Sequence, residues 1–153
     1  MTLGVLVGRF AAFMNDQPAP PETAYPERPF PSELKRVREA SGHHIVPLML
    51  LSRCDGQSVP EEQEVILLHC AARAKLSGLE LSSAEQAALS DYLREFRPTH
   101  AQLRPALKRL EHDSKHDIVA LVAAAQEVVD ADGVRRPREI QFLEQLMRDL
   151  AEL

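Results

Sequence analysis

From residue 32 to residue 153 the apolar positions recur at helical spacing, and no stretch alternates with period two for long enough to make a strand. The pattern predicts about seven helices. The first opens at Ser32, carries Arg38 and Glu39, and stops at Gly42. An apolar run over 45–54 follows, with Pro47 tolerated in its first turn. A third helix starts at Pro60, with Glu61 and Glu62 in the first turn where negative charge suits the helix dipole, and runs through Val65, Ile66 and Leu68 to Gly78. Ser82 with Glu85, and Thr99 with Gln102, have capping-box spacing and open the fourth and fifth helices. A sixth begins at Asp113 or Ser114. Its apolar residues, among them Ile118, Leu121, Val122 and Val128, fall on more than one face, which predicts a place at the centre of the fold. Pro137 opens the last, with Leu143, Leu146, Met147 and Leu150 along one face.

The beginning of the chain departs from this pattern. Leu3 to Met14 is apolar apart from Arg9 and is too short to span a bilayer. It suits an amphipathic segment packed on protein or on a membrane surface. Six of the eleven prolines then fall between Pro18 and Pro31, which reads as an extended connector. The expected organisation is therefore an N-terminal tail and Pro-rich segment over 1–31 and an all-α domain, a compact helical bundle, over 32–153.

One feature repeats. Shifted by 77 positions, Asp55-Gly56 falls on Asp132-Gly133, Pro60 on Pro137, Glu62 on Glu139 and Cys70 on Met147. Turn, polar and core positions match together, so the bundle is expected to consist of two related helix–loop–helix halves. Glycine supplies the turn geometry, aspartate bonds locally, and proline presets the first helical turn.

The loops also invite a cation. An EF-hand loop places acidic residues at its first, third and fifth positions, glycine at the sixth and glutamate at the twelfth. Asp130, Asp132, Gly133 and Glu139 fit the third, fifth, sixth and twelfth, while Val128 stands at the first. In the first copy Arg53 occupies the third position. The expected candidate ligands for calcium or a similar divalent cation are thus Asp130, Asp132 and Glu139, with Asp55 and Glu62 a weaker set and the first loop scaffold. The competing reading makes the glutamates helix caps and the aspartates turn organisers.

The run Val129-Asp130-Ala131-Asp132-Gly133 with Pro137-Arg138-Glu139, and the run Cys54-Asp55-Gly56 with Pro60-Glu61-Glu62, resemble the two loop motifs of the tellurite-resistance TerB-like family. The resemblance covers roughly 45–153. It implies a small helical bundle with no established enzymatic activity, linked to stress resistance and to membrane-associated complexes. It also implies an acidic metal site that maps to Asp55, Glu62, Asp132 and Glu139, with Asp130 beside them. Arg53, Arg135 and Arg136 depart from the family pattern, and the arginines of the second loop are expected to neutralise the acidic cluster.

Composition narrows the function further. The net charge of −5 and the lack of a Lys/Arg stripe argue against nucleic-acid binding. Cys54 and Cys70 are too few for a disulfide framework or a zinc cluster, and a reducing cytoplasm is the simpler setting. His112 and His116 are spaced like zincin ligands, but Asp113 stands where the glutamate base belongs, and a helix junction there would separate them. They and Asp117 are the only support for a metal hydrolase. His43-His44 beside Gly42 reads as a polar loop, and His69 as a core or boundary histidine. No nucleophile elbow, P-loop or dinucleotide fingerprint is present. The expectation is a non-catalytic interaction module with a protein partner and peripheral membrane contact at most, or alternatively a divalent-cation sensor.

Overall fold

The computed structural model describes residue 31, residues 34–56 and residues 58–153. The apolar segment and most of the Pro-rich connector, like the Ser32 cap, lie outside the described residues. Among the described residues the protein is all-helical. It contains α1 (Lys35–Arg53), α2 (Pro60–Leu76), α3 (Ser83–Glu95), a 3-10 turn (His100–Gln102), α4 (Leu103–Leu110), α5 (Lys115–Asp130) and α6 (Pro137–Ala151). None of these helices is long and apolar enough to cross a membrane.

The punctuation read from sequence is largely present. Ser82 Oγ accepts the Glu85 N–H at 3.1 Å while Glu85 Oε1 accepts the Ser82 N–H at 2.9 Å. Ser114 opens α5 in the same way with Asp117. Gln102 Oε1 accepts the Thr99 N–H at 2.7 Å, although the turn it closes is 3-10 before it becomes α4. Pro60 and Pro137 each start their helix. Gly56 and Gly133 have φ of 109° and 77°, a geometry that costs any residue with a Cβ.

The largest departure is α1. Two helices with a loop at Gly42 were expected, and a single helix runs through both Gly42 and Pro47. The reason is tertiary. Val37, Ile45, Leu48, Met49 and Leu51 are all almost completely buried, and α1 packs against α2, α4, α5 and α6. That burial outweighs the single hydrogen bond Pro47 cannot donate. It also makes α1 the central element, a place the pattern gave to α5. In α5, Leu121, Ala124, Ala125, Val128 and Val129 are buried, but Val119 is exposed. In α6 the predicted face is inward at Leu146 and Leu150, whereas Met147 lies at its exposed edge.

Candidate functional site

The repeat places the N-terminus of α2 and the N-terminus of α6 after equivalent turns. Glu62 and Glu139 are each the third residue of their helix, and both are buried, at 1% and 0% exposure. Neither caps its own helix: no side-chain cap bond forms at either N-terminus, and among the described residues Glu62 Oε2 and both Glu139 oxygens have no hydrogen-bond donor. The two carboxyls act on each other: after burial, Glu62 is the main group that raises the Glu139 pKa. The capping alternative for these glutamates therefore does not describe them.

Two aspartates and one arginine complete the cluster. Asp132 Oδ1 accepts the Val134 N–H at 3.0 Å, the local turn bond expected of it, and its Oδ2 accepts from Arg136 Nη1 at 2.8 Å. Arg136 also crosses to the first loop, with Nε 3.1 Å from Asp55 Oδ2, and its Nη1 lies 3.8 Å from Glu139 Oε1. Asp55 Oδ1 is buried without a partner. Asp55, Glu62, Asp132 and Glu139 thus belong to one cluster made by both copies, rather than a second-loop site beside a scaffold loop.

Asp130 does not join it. Its carboxylate is half-exposed and pairs with Arg135, Nε to Oδ1 at 2.8 Å. Asp130 ends α5 as part of the helix, so its side chain leaves on the solvent side of the turn. An EF-hand-like ligand set over Asp130, Asp132 and Glu139 is therefore not assembled. Arg53, the cation at the equivalent place in the first copy, also points elsewhere. It donates to Phe96 O at 2.7 Å and Arg94 O at 2.8 Å and so caps the end of α3.

The copies differ where it matters electrostatically. Ser52 Oγ donates to Glu62 Oε1 at 2.7 Å and is also hydrogen-bonded to Ser58. At the position of Ser52 the second copy has Val129, so Glu139 has no such donor. Burial, then the Glu62 carboxyl and the Asp55 charge, push the Glu139 carboxyl far up, to about 8, against the pull of Arg136. The same field reaches Cys54, whose thiol is raised to about 11 by burial first and then by Glu139 and Asp55. With Glu139 protonated, three carboxylates and one guanidinium leave two negative charges.

A second cluster was not anticipated. His43 and His44, expected in a loop, lie buried in the middle of α1. Both rings reach Asp113, at the junction of α4 and α5. His43 Nε2 is 2.9 Å and His44 Nε2 2.7 Å from Asp113 Oδ2. His44 Nδ1 is 3.0 Å from His69 Nε2 on α2. Arg73 lies on the far side, with Nη1 3.3 Å from Asp117 and Nη2 3.9 Å from Asp113. Burial lowers the His44 pKa to about 3 and that of His69 to about 4, so both rings are neutral. Burial raises the Asp113 pKa, but the hydrogen bonds from His44 and His43 outweigh it and hold the carboxyl below its ordinary value. His112 and His116 are exposed, one in the turn after α4 and the other in α5, and form no such centre. Cys54 and Cys70 are both free thiols.

No family model matches the chain, and no curated protein or solved structure matches it.

Proposed function

We propose that this protein is a non-catalytic helical binding module whose two Asp-Gly loops jointly hold one divalent cation. The observation that carries this reading is the pair of buried glutamates, one from each copy, with oxygens that no donor among the described residues satisfies. Leaving buried carboxylate oxygens unpaired is costly, and a bound cation would remove that cost. The donor set is all oxygen, which suits a hard ion of the calcium or magnesium class. Once Glu139 gives up its proton, four carboxylates and one guanidinium leave a net negative cluster that attracts a divalent ion. Arg136 already neutralises the Asp55 and Asp132 side, so the ion would sit towards the buried pair Glu62 and Glu139, with other oxygens completing its shell.

The wider role follows from the TerB-like resemblance: an adaptor in a stress-response or envelope-linked assembly, with a protein partner that reads the cation-loaded state. Calorimetry and thermal melts with calcium, magnesium and manganese test the cation. Binding of one ion with a rise in Tm, lost in Glu139→Gln and Glu62→Gln, is expected, because an ion that binds only the folded state must stabilise it. Absence of both heat and stabilisation at millimolar metal overturns the reading. Affinity capture with and without a chelator then tests whether partner binding depends on the ion.

A further inference from the structure

The internal repeat supplies its own control for the histidine cluster. Under the 77-position shift that aligns Asp55 with Asp132, His44 falls on Leu121 and His69 falls on Leu146. Both leucines are core residues, exposed by 0% and 2%. One half of the protein therefore fills this pair of positions with leucine, and the other half fills them with two imidazoles in contact. A buried polar pair gives up apolar burial and must find every hydrogen-bond partner inside the fold. Packing alone does not ask for histidine here, since the equivalent helix pair packs without it.

We propose that His43, His44 and Asp113 form a metal site for a zinc-class transition ion, separate from the acidic loops. The ligating atoms all lie within 4.8 Å of one another, and the set spans the middle of α1 and the α4–α5 junction. Along α1 it lies about two helical turns before Ser52. Metal–nitrogen and metal–oxygen bonds of about 2.0–2.1 Å put tetrahedral ligand atoms roughly 3.3 Å apart. The Nε2-to-Asp113 distances run from 2.7 to 3.1 Å, so the carboxylate and each ring need part by only a few tenths of an ångström.

The donor chemistry selects the ion. Two imidazoles and one carboxylate suit zinc and its neighbours, whereas calcium and magnesium prefer oxygen alone. Each imidazole ligates through the lone pair of a ring nitrogen. Without metal, His44 Nε2–H donates to Asp113, so its Nδ1 accepts from His69. With metal, the Nε2 lone pair faces the ion and both rings change tautomer: the His44 proton sits on Nδ1 and donates to His69 Nε2, whose own proton then sits on its Nδ1. His69 is therefore a positioning residue, fixing the tautomer and orientation of a ligand from outside the ligand set. Arg73 is held by Ala40 O at 2.8 Å and by Asp117, and its Nη2 stands 3.9 Å from Asp113 Oδ2, the oxygen that both imidazoles meet. Asp113, Asp117 and Arg73 together carry one negative charge, which a divalent ion offsets.

Cobalt(II) titration of the full chain, with zinc competition, tests the site. The expected result is one equivalent bound, with the intense visible absorption of four-coordinate cobalt, bleached by zinc. His43→Asn and Asp113→Asn should each weaken binding by at least about tenfold, the scale seen when a ligand or its support is lost. His44→Leu, which installs the residue of the other copy, should abolish the band while far-UV circular dichroism shows an intact fold. His116→Ala and Glu139→Gln should leave it in place. No stoichiometric binding at micromolar cobalt or zinc overturns the proposal. So does binding as tight in Asp113→Asn as in wild type, or binding that disappears with His116→Ala or Glu139→Gln. Failure here leaves the calcium response of the acidic loops untouched, and failure of that response leaves the cobalt band untouched.

Discussion

The Arg136 guanidinium, presented by the second Asp-Gly loop, lies 3.1 Å from the Asp55 carboxylate of the first. This contact joins the two copies of the repeat at their turns. It also places the one cation of the cluster where it competes with any bound ion. Arg136→Gln should therefore lower the Tm of the cation-free protein and tighten divalent-cation binding. Melting curves with and without calcium, compared with wild type, check both directions.

Glu139 links stability to pH. Its carboxyl is raised from the ordinary 4.5 to about 8 by burial, Glu62 and Asp55. Between those values the folded state keeps a proton that the unfolded state releases, so the cation-free protein should lose stability as pH rises from about 4.5 to 8. Glu139→Gln should flatten that slope in urea titrations at stepped pH. Calcium should restore stability at the upper end in wild type alone, with proton release on binding near pH 7.

The buried histidines give the opposite slope at acid pH. The folded-state pKa values of His44 and His69 are lowered from 6.5 to about 3 and about 4. As pH falls below 6.5 the unfolded chain takes up protons that the folded rings refuse, so stability should decline from about pH 6.5 towards 4. The double variant His44→Leu with His69→Leu should be less acid-sensitive than wild type in circular-dichroism melts at pH 5 and 7.

The turns themselves can be tested by adding a methyl group. A Cβ at Gly133 meets nothing within 4 Å, so Gly133→Ala costs only its backbone conformation at φ 77°. Chemical denaturation should show a loss of about 1–2 kcal/mol, with the helices retained.

Leu121 is fully buried and belongs to the main core cluster. Leu121→Ala should cost about 2–5 kcal/mol, the range for a buried leucine truncated to alanine. Equilibrium unfolding in guanidinium reads this directly.

What the sequence made legible was local. Ser82, Ser114, Pro60 and Pro137 announce helix starts within four residues, and the paired Asp-Gly turns announce the repeat. Asp55, Glu62, Asp132 and Glu139 were legible as candidates, but the turn pattern treated the loops singly, and only packing shows them meeting. Asp130 was attractive by spacing alone, and its direction is set by where α5 ends. The histidine cluster was hidden for two reasons. Asp113 is 70 residues from His43 and 69 from His44, so no local pattern links them. Gly42 and Pro47 also argue for a break where α1 runs on. One signal was present in the sequence: aligning the copies sets His44 and His69 against two leucines of a helical core face.

Pro47 has no N–H, so α1 lacks the rung that would have bound the His43 carbonyl. That gap falls three residues after His44 and five before Ser52, between the histidine cluster and the acidic loops. The core contacts of Ile45, Leu48 and Met49 on either side of it take over what the missing rung would have done, so the spacing between the two clusters is set by packing rather than by the helix ladder.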